Sequence, residues 1–168
     1  MYQRILVPVD GSATAQRGLE EATRLGKLTQ GRLRLIHVID ELSFALAMDA
    51  YAGHAGDWLS LLRVDGERLL AQAKAVAEAA GVEADTVLYD RRSGQVDELV
   101  TAEAARWPAD LIVLGTHGRR GVGRVLMGSS AEHILRHAPV PVLLVRAPES
   151  ETREPLHVRQ PTGALAFE

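Results

Sequence analysis

The chain has 168 residues, of which 46% are hydrophobic and 24% charged, and its formal net charge is −3. This length suits one domain with a substantial core, and the nearly balanced charge excludes a global field that would draw the protein to nucleic acid or to an anionic membrane. Two Trp, three Tyr and two Phe are too few for a base-stacking platform, and the absence of cysteine excludes disulfides, thiol catalysis and thiolate metal sites.

No apolar stretch approaches the roughly 20 residues that are needed to cross a bilayer. The residues after Met1 lead directly into a predicted strand and lack the long apolar region of a signal peptide. We therefore expect a cytoplasmic protein that has neither a membrane partner nor a nucleic-acid partner.

Five short apolar runs predict β-strands. They cover residues 5–9, 33–39, 86–89, 111–115 and 140–145. The first, fourth and fifth runs are almost continuously apolar, which is typical of strands that are buried on both faces.

Four amphipathic segments between and beside these runs predict helices. The first follows Ser12, a candidate N-cap, and has apolar residues three and four positions apart. The second covers roughly residues 58–80 and is ended by a glycine, and the third closes near Trp107. The fourth begins at Ser129 with a capping-box pattern that pairs Ser129 with Glu132. Strands that alternate with helices predict an α/β fold with a parallel sheet, right-handed crossovers and helices on both faces.

The predicted domain occupies residues 1–146. Residues 147–168 hold three prolines among charged and small residues, which is typical of a flexible tail. The connection 41–60 is longer than most in α/β units, and it holds three aromatic residues and two glycines. A hinged cover over a nearby site and a surface loop with its own small apolar cluster both fit this segment.

A glycine pattern follows the fourth predicted strand. Gly115-Thr116-His117-Gly118 is separated by nine residues from Gly128-Ser129-Ser130, where a helix begins. The helix N-terminus presents backbone N–H groups and the positive end of the helix dipole to an anion such as phosphate. Glycine lets the main chain approach a ligand where a Cβ would block it. Glycines that only end a strand or begin a helix in an ordinary loop would give the same pattern. The pattern alone therefore leaves both interpretations open.

A second specialised segment, Pro8-Val9-Asp10-Gly11-Ser12, follows the first predicted strand. Ligands of open parallel sheets bind outside the carboxyl ends of the strands, where the strand order reverses. If strands one and four are neighbours there, Asp10 faces the glycine loop across one crevice. Its carboxylate then accepts from a ribose hydroxyl or an amino group, or shares a divalent metal with phosphate oxygens. A turn followed by a helix cap is the alternative interpretation of this segment.

Five segments of the chain, taken in order, closely resemble the universal stress protein family. They are residues 7–12, 36–40, 109–118, 128–130 and 141–145. The resemblance spans residues 1–146. It implies an open five-stranded parallel sheet in the order 3-2-1-4-5 with helices on both faces, a Rossmann-like fold in which strands one and four are neighbours. Within the family, the glycine pattern marks members that bind ATP.

The resemblance also implies which residues contact the ligand, and the implied cofactor is ATP, or ADP or AMP, with Mg²⁺ or Mn²⁺. The phosphates and ribose would be wrapped by Gly115, Gly118, Gly128, Ser129 and Ser130, in the motif that also contains Thr116 and His117. The adenosine, and a metal, would lie beside Asp10 and its neighbours Gly11 and Ser12. Adenine would meet the backbone of Val38 and an apolar wall formed by Pro8 and Val9. The terminal phosphates could be approached by Arg119 or Arg124, although the family motif fixes only the length of this spacer.

Other motifs fail on detail. A Walker A loop is excluded because Arg124 stands where the lysine should be, and a Rossmann GxGxxG is excluded because Leu126 replaces its last glycine. His133 and His137 lie four apart on one helix face, but no third metal ligand is evident. His37 has apolar neighbours, and we interpret it as a tolerated core residue. No catalytic residue can be named.

The last predicted strand lies at an edge of the implied sheet, although it is apolar at both alternating sets of positions. Such an edge favours pairing with a second copy, and Pro139 and Pro141 are compatible with an edge position. We therefore expect a homodimer that is joined along residues 140–146. The leading hypothesis is a nucleotide-dependent regulatory protein in stress response. A slow ATPase or nucleotidyl transferase and a nucleotide-free dimer scaffold are the alternatives.

Overall fold

The computed structural model describes residues 1–39, 58–89, 94–116 and 128–146. The strands are β1 (Arg4–Pro8), β2 (Arg32–Val38), β3 (Ala84–Tyr89), β4 (Leu111–Gly115) and β5 (Val142–Val145). The helices are α1 (Ala13–Thr29), α2 (Trp58–Ala79), α3 (Val96–Arg106) and α4 (Ser129–His137). All five predicted strands and all four predicted helices are therefore confirmed. The predicted tail 147–168 and most of the loop 41–60 lie outside the described residues.

The five strands form one parallel sheet in the order β3-β2-β1-β4-β5. β1 is central, and it pairs in parallel with β2 on one side and with β4 on the other. The predicted strand order and the adjacency of strands one and four are confirmed. Since the chain moves outward from β1 in both directions, the strand order reverses between β1 and β4, at the place where such sheets bind ligands.

The helices cover the sheet on both faces, as predicted. On one face, α1 and α2 pack with Ile5 and Val7 of β1, which are fully buried. On the other face, α3 and α4 pack with Leu6. Leu6 lies between Ile5 and Val7 in the strand and is also fully buried. Successive residues of a strand point to opposite faces, so β1 contributes to two separate cores. Its nearly continuous apolar sequence is explained by that position.

The burial prediction was wrong for β5. All four residues of β5 are only partly buried, whereas Leu111 to Leu114 of β4 are all buried. The reason is that β5 lies at the edge of the sheet and has a strand, β4, on one side only within the described residues. Its apolar composition therefore leaves a partly exposed apolar edge.

The predicted caps divide into one success and one error. Ser12 caps α1 as expected, because its Oγ accepts from the N–H of Ala15 at 3.2 Å. The capping box of α4 is not formed. Gly128 is the N-cap, no side chain caps the helix, and Ser129 is already the first helical residue. The glycine occupies the position that the sequence pattern assigns to the serine.

No helix in the described ranges is long and apolar enough to traverse a lipid bilayer.

Candidate functional site

The carboxyl ends of β1 and β4 lie side by side, at the position of the predicted crevice. The two strands pair directly, with Ile5 opposite Leu111 and Leu6 opposite Ile112. Asp10 follows the end of β1, and Thr116 follows the end of β4, so both lie at the same edge of the parallel sheet. The structure thus brings together the two segments that the sequence predicted to meet.

One wall of the crevice is a tight turn that leads into α1. The N–H of Ser12 donates to Oδ1 of Asp10 at 2.9 Å, and Gly11 between them has a φ of 80°, in the left-handed region that favours glycine. The turn-and-cap interpretation of this segment is therefore realised. It fixes the orientation of the Asp10 carboxylate, which is half-buried. A contact between Asp10 and a ligand stays a prediction.

The opposite wall begins at Gly115, whose lack of a side chain is required by helix packing. A Cβ on Gly115 would lie 2.6 Å from the carbonyl carbon of Thr14 and 2.7 Å from its oxygen. The main chain of α1 is too close for any side chain at this position. Gly18, one turn further along α1, also approaches the main chain of Gly115, since its Cβ would lie 3.3 Å from the Gly115 nitrogen.

The sequence pattern left open whether glycine at 115 serves a ligand or only the loop, and the structure supplies a further physical reason for glycine there. Gly115 brings the end of β4 into contact with the first turn of α1. A contact between Gly115 and phosphate stays a prediction.

Main-chain hydrogen bonds join the residues on the two sides of the glycine loop. The N–H of Gly128 donates to the carbonyl of Thr116 at 3.1 Å, and the N–H of Thr116 donates to the carbonyl of Val145 at 2.9 Å. These two bonds fix the N-terminus of α4 beside the end of β4. Ser129 is exposed and Ser130 is half-buried in the first turn of this helix.

Of the remaining predicted site residues, some lie in the described part of the chain and others lie outside it. Pro8 ends β1, and Val9 is buried with 7% of its surface exposed. Val38 ends β2, and its side chain packs in the core beneath α3 and α4, which fits a role for its backbone alone. His117, Gly118 and Arg119, together with Arg124, lie outside the described residues.

Each histidine of the pair on α4 contacts another residue of the described chain through its Nδ1. His133 Nδ1 lies 3.3 Å from Oδ2 of Asp97, and His137 uses its Nδ1 at 2.9 Å from the carbonyl of His133. Over the described parts of the chain, no three His, Cys, Asp or Glu side chains come together in a group that could hold a metal.

An ionic cluster that the sequence did not reveal lies between α3 and the strands β2 and β3, and it is centred on one buried carboxylate. Arg34 donates to Asp85 through Nε at 2.8 Å and Nη2 at 2.7 Å, and through Nη1 to Oε1 of Glu103 at 2.8 Å. Oε2 of Glu103 accepts from Tyr89 at 2.7 Å and from Nε of Arg106 at 2.8 Å. The side chain of Glu103 is fully buried.

The hydrogen bonds of this cluster control the pKa of Glu103. Desolvation by burial raises that pKa, but the hydrogen bonds from Tyr89, Arg106 and Arg34 together outweigh it, so the pKa lies below its usual value. No local sequence signal singles out Arg34 or Glu103, because β2 also contains Arg32 and α3 also contains three other charged residues. The pairing itself could not be predicted, since 69 residues separate Arg34 from Glu103.

A cavity of about 530 Å³ lies at the opposite, amino end of the sheet. Its lining includes Gly31 and Gly81, which follow the C-terminal ends of α1 and α2. Helix C-termini carry the negative ends of their dipoles. The same lining also holds Arg4, Lys27 and Arg32, so this cavity differs from the carboxyl end of β1 and β4 in its helix termini and not in a lack of positive charge.

Comparisons with known proteins agree with this architecture. The model of the universal stress protein family matches residues 1–146. A universal stress protein of Methanocaldococcus jannaschii is 32% identical over 154 residues, which cover 90% of this chain and 86% of the relative. A solved universal stress family protein from Burkholderia pseudomallei is 32% identical with a TM-score of 0.66, and the match covers 87% of this chain and 97% of that one.

A further solved structure bears on ligands. The universal stress protein of Archaeoglobus fulgidus in complex with dAMP has a TM-score of 0.63 and 22% identity, and the match covers 86% of this chain and 98% of that one. At this identity the likeness establishes the fold alone. The matching family model, the relative that is 32% identical and the observed strand order agree with one another, and the chain belongs to the universal stress protein family.

Proposed function

We propose that this chain is an ATP-binding regulatory protein of the stress response, which acts in the cytoplasm as a homodimer and changes state with the nucleotide in the crevice. The observation that carries the proposal is the position of the α4 N-terminus. Gly128 caps the helix without a side chain, and its bond to Thr116 holds that N-terminus at the carboxyl end of β4. Uncapped N–H groups at a helix N-terminus are suited to phosphate.

The opposite wall supports the same ligand. The Asp10 carboxylate is held beside the N-terminus of α1 by a hydrogen bond from the N–H of Ser12. In this proposal it accepts a hydrogen bond from the ribose, while Pro8, Val9 and the backbone of Val38 adjoin the base. The dAMP complex of the Archaeoglobus fulgidus protein supports an adenine nucleotide as a ligand that this fold accepts.

The donor set around Asp10 fits a divalent cation that is held mainly by the nucleotide. Mg²⁺ commonly takes one or two carboxylates, substrate phosphates and water rather than an all-protein cage. Asp10 would supply the carboxylate, since no three acidic or histidine side chains gather within the described ranges. When bound, the cation would neutralise charge on the phosphates.

A connection between the crevice and the edge strand supports regulation. The N–H of Thr116, at the start of the glycine loop, donates to the carbonyl of Val145, the last residue of β5. A change in the position of Thr116 between nucleotide states would therefore reach β5, the strand along which we propose the dimer to form. Differential affinity for two such states is what a switch requires.

Slow ATP hydrolysis is the second candidate function, and it uses the same crevice. Asp10 is the acidic residue placed there, and its carboxylate already orients the turn into α1. Efficient phosphoryl transfer needs a residue that positions the attacking water. We propose binding as the principal function, with at most slow turnover.

The test begins with the protein purified without added nucleotide. Denaturation and chromatography identify any adenine nucleotide that is carried through purification, and calorimetry measures the Kd for ATP, ADP and AMP. Steady-state phosphate release separates a binding protein from an enzyme, since multiple turnovers per minute would favour the enzyme. Absence of bound nucleotide, together with no thermal shift on addition of ATP, would reject the proposal in favour of the scaffold.

A variant pair locates the site. Gly128 has φ −60° and ψ 145°, which valine also adopts, so Gly128→Val should leave the fold intact and abolish nucleotide binding. Glu83→Val is the control, because Glu83 is exposed and precedes β3 at the opposite, amino end of the sheet. Retained ATP affinity in Gly128→Val would discredit the site assignment.

A further inference from the structure

His37 is buried on β2 and uses its ring to bind a main-chain carbonyl. Only 5% of its surface is exposed, and its Nδ1 lies 2.7 Å from the carbonyl oxygen of Val9. A carbonyl oxygen can only accept a hydrogen bond, so Nδ1 carries the hydrogen and donates. The histidine that the sequence analysis interpreted as a tolerated core residue therefore makes a specific bond.

The carbonyl that His37 binds lies at the point where β1 and β2 stop pairing. The last paired residues are Pro8 and Ile36. The N–H of Val9 still donates to the carbonyl of Ile36 at 2.9 Å, while the Val9 carbonyl is bound by the imidazole. The ring thus holds the last main-chain carbonyl before Asp10.

Helix α2 packs directly against the other side of the ring. A Cβ on Gly66 would lie 3.0 Å from Cδ2 of His37 and 2.9 Å from Cδ1 of Leu88. Glycine inside a helix costs about 1 kcal/mol relative to alanine. Here the absence of a side chain leaves room for the imidazole, which is confined between α2 and the Val9 carbonyl.

Asp10 and Ser12 directly follow the main-chain carbonyl that His37 binds. Oδ1 of Asp10 accepts from the N–H of Ser12 at 2.9 Å, and Ser12 caps α1. A leucine at position 37 would fill the volume but could not fix the Val9 carbonyl. We propose that His37 is a positioning residue, which sets the main chain from which Asp10 extends and so presets the crevice for nucleotide. This inference rests on the proposed function.

Two amide variants test the bond without removing polarity. In His37→Asn the side-chain nitrogen reaches the position of Nδ1, whereas in His37→Gln it reaches the position of Nε2, away from the Val9 carbonyl. Thr23→Val is the matched control. Thr23 is also buried, and its hydroxyl donates to the Leu19 carbonyl at 2.7 Å in the middle of α1, away from the crevice.

The first readout needs no nucleotide. Hydrogen exchange at the Ser12 amide reports the Asp10 turn, and it should be about tenfold faster in His37→Gln than in wild type. His37→Asn should restore it to within about threefold of wild type. Thr23→Val should lower the midpoint of urea unfolding of the whole protein. The exchange rate of the Ser12 amide, divided by that of neighbouring amides of α1, should be the same as in wild type. Equal Ser12 exchange in the Gln and Asn variants would overturn the inference.

The second readout is the Kd for ATP, measured by calorimetry well below the unfolding midpoint of each variant. We expect about tenfold weaker binding in His37→Gln, and near wild-type binding in His37→Asn and Thr23→Val. If wild type binds no ATP while Ser12 exchange still separates Gln from Asn, the proposed function fails and the positioning of the turn stands. If all variants bind ATP equally, the inference fails and the proposed function stands.

Gly66→Ala provides a second route if His37→Gln does not fold. The added methyl crowds the ring and the mobile end of Leu88 while leaving His37 in place. Faster Ser12 exchange and weaker ATP binding in Gly66→Ala would support the inference. Wild-type values for both would overturn it.

Discussion

Arg34 on β2 and Glu103 on α3 are joined by an ion pair, with Nη1 and Oε1 2.8 Å apart and the carboxylate fully buried. The guanidinium of Arg34 also lies 4.7 Å from the centre of the Trp107 ring, a distance at which a cation interacts favourably with an aromatic face. Helix α3 is therefore fastened to the sheet by charge as well as by apolar packing.

Glu103→Gln tests the pH dependence of this cluster. The folded-state pKa of Glu103 is lowered, so its stabilisation is fully present above the unfolded value of about 4.3 and is lost as the pH falls through the lowered folded value. At pH 7 the variant should be less stable by about 2 kcal/mol. In urea unfolding, the difference between wild type and variant should shrink below roughly pH 4.

Glu78→Gln is the control for the acid experiment. Glu78 pairs with Lys74 at 3.5 Å, and both side chains are largely exposed, so this change should alter stability little at any pH. A Glu103→Gln deficit that stayed constant from pH 7 to pH 3 would contradict the account of the cluster.

Gly115→Ala should destabilise the protein by about 1–3 kcal/mol, because the new Cβ meets the main chain of Thr14, which cannot rotate away. Gly18→Ala is the comparison. Its Cβ would lie 3.3 Å from the Gly115 nitrogen, and it gains helix propensity. Thermal unfolding should rank wild type and Gly18→Ala above Gly115→Ala. A Gly115→Ala variant as stable as wild type would refute the packing role of Gly115.

Leu143→Asp tests the proposed dimer edge. Leu143 is half-buried on β5 and pairs with Val113 of β4. If copies join along this strand, the charge should convert the dimer to a monomer in light scattering. Leu28→Asp is the control, since Leu28 on α1 is 80% exposed. Circular dichroism checks that both variants are folded, and a Leu143→Asp protein that remains dimeric would reject the β5 interface.

Ser12→Ala removes the bond to the Ala15 N–H and should cost about 1 kcal/mol of stability. Ser12→Thr retains a hydroxyl at the N-cap and should recover most of that loss. Urea unfolding of the three proteins measures the order. Equal stability of the Ala and Thr variants would show that the cap contributes nothing.

Much of the fold could be predicted, because local patterns and sheet topology agree. The apolar run of β4 and the Ser12 cap are both signals that lie within a few residues of the features they predict. The strand order came from the resemblance to the family, and the observed pairing of β1 with β4 confirms it. The two strands meet across more than 100 residues of sequence, as the hydrogen bond from Gln3 to Asp110 illustrates.

The site was harder to predict because one residue type serves several physical needs. Glycine at 115 was predicted to allow a ligand contact, which stays a prediction, and packing against α1 requires glycine there in any case. Ser129 was assigned as a cap, but Gly128 is the cap. His37 and Glu103 were missed as bonding residues, because a single sequence does not indicate which distant carbonyl or guanidinium a buried polar side chain will meet.

The bond between Gly128 and Thr116 closes the chain on either side of residues 117–127. Both ends of this segment are joined through main-chain atoms, so the bond that sets the start of α4 does not depend on any side chain between them. The place at which α4 begins is thus preserved by any substitution that leaves the main chain of Thr116 and Gly128 where it is.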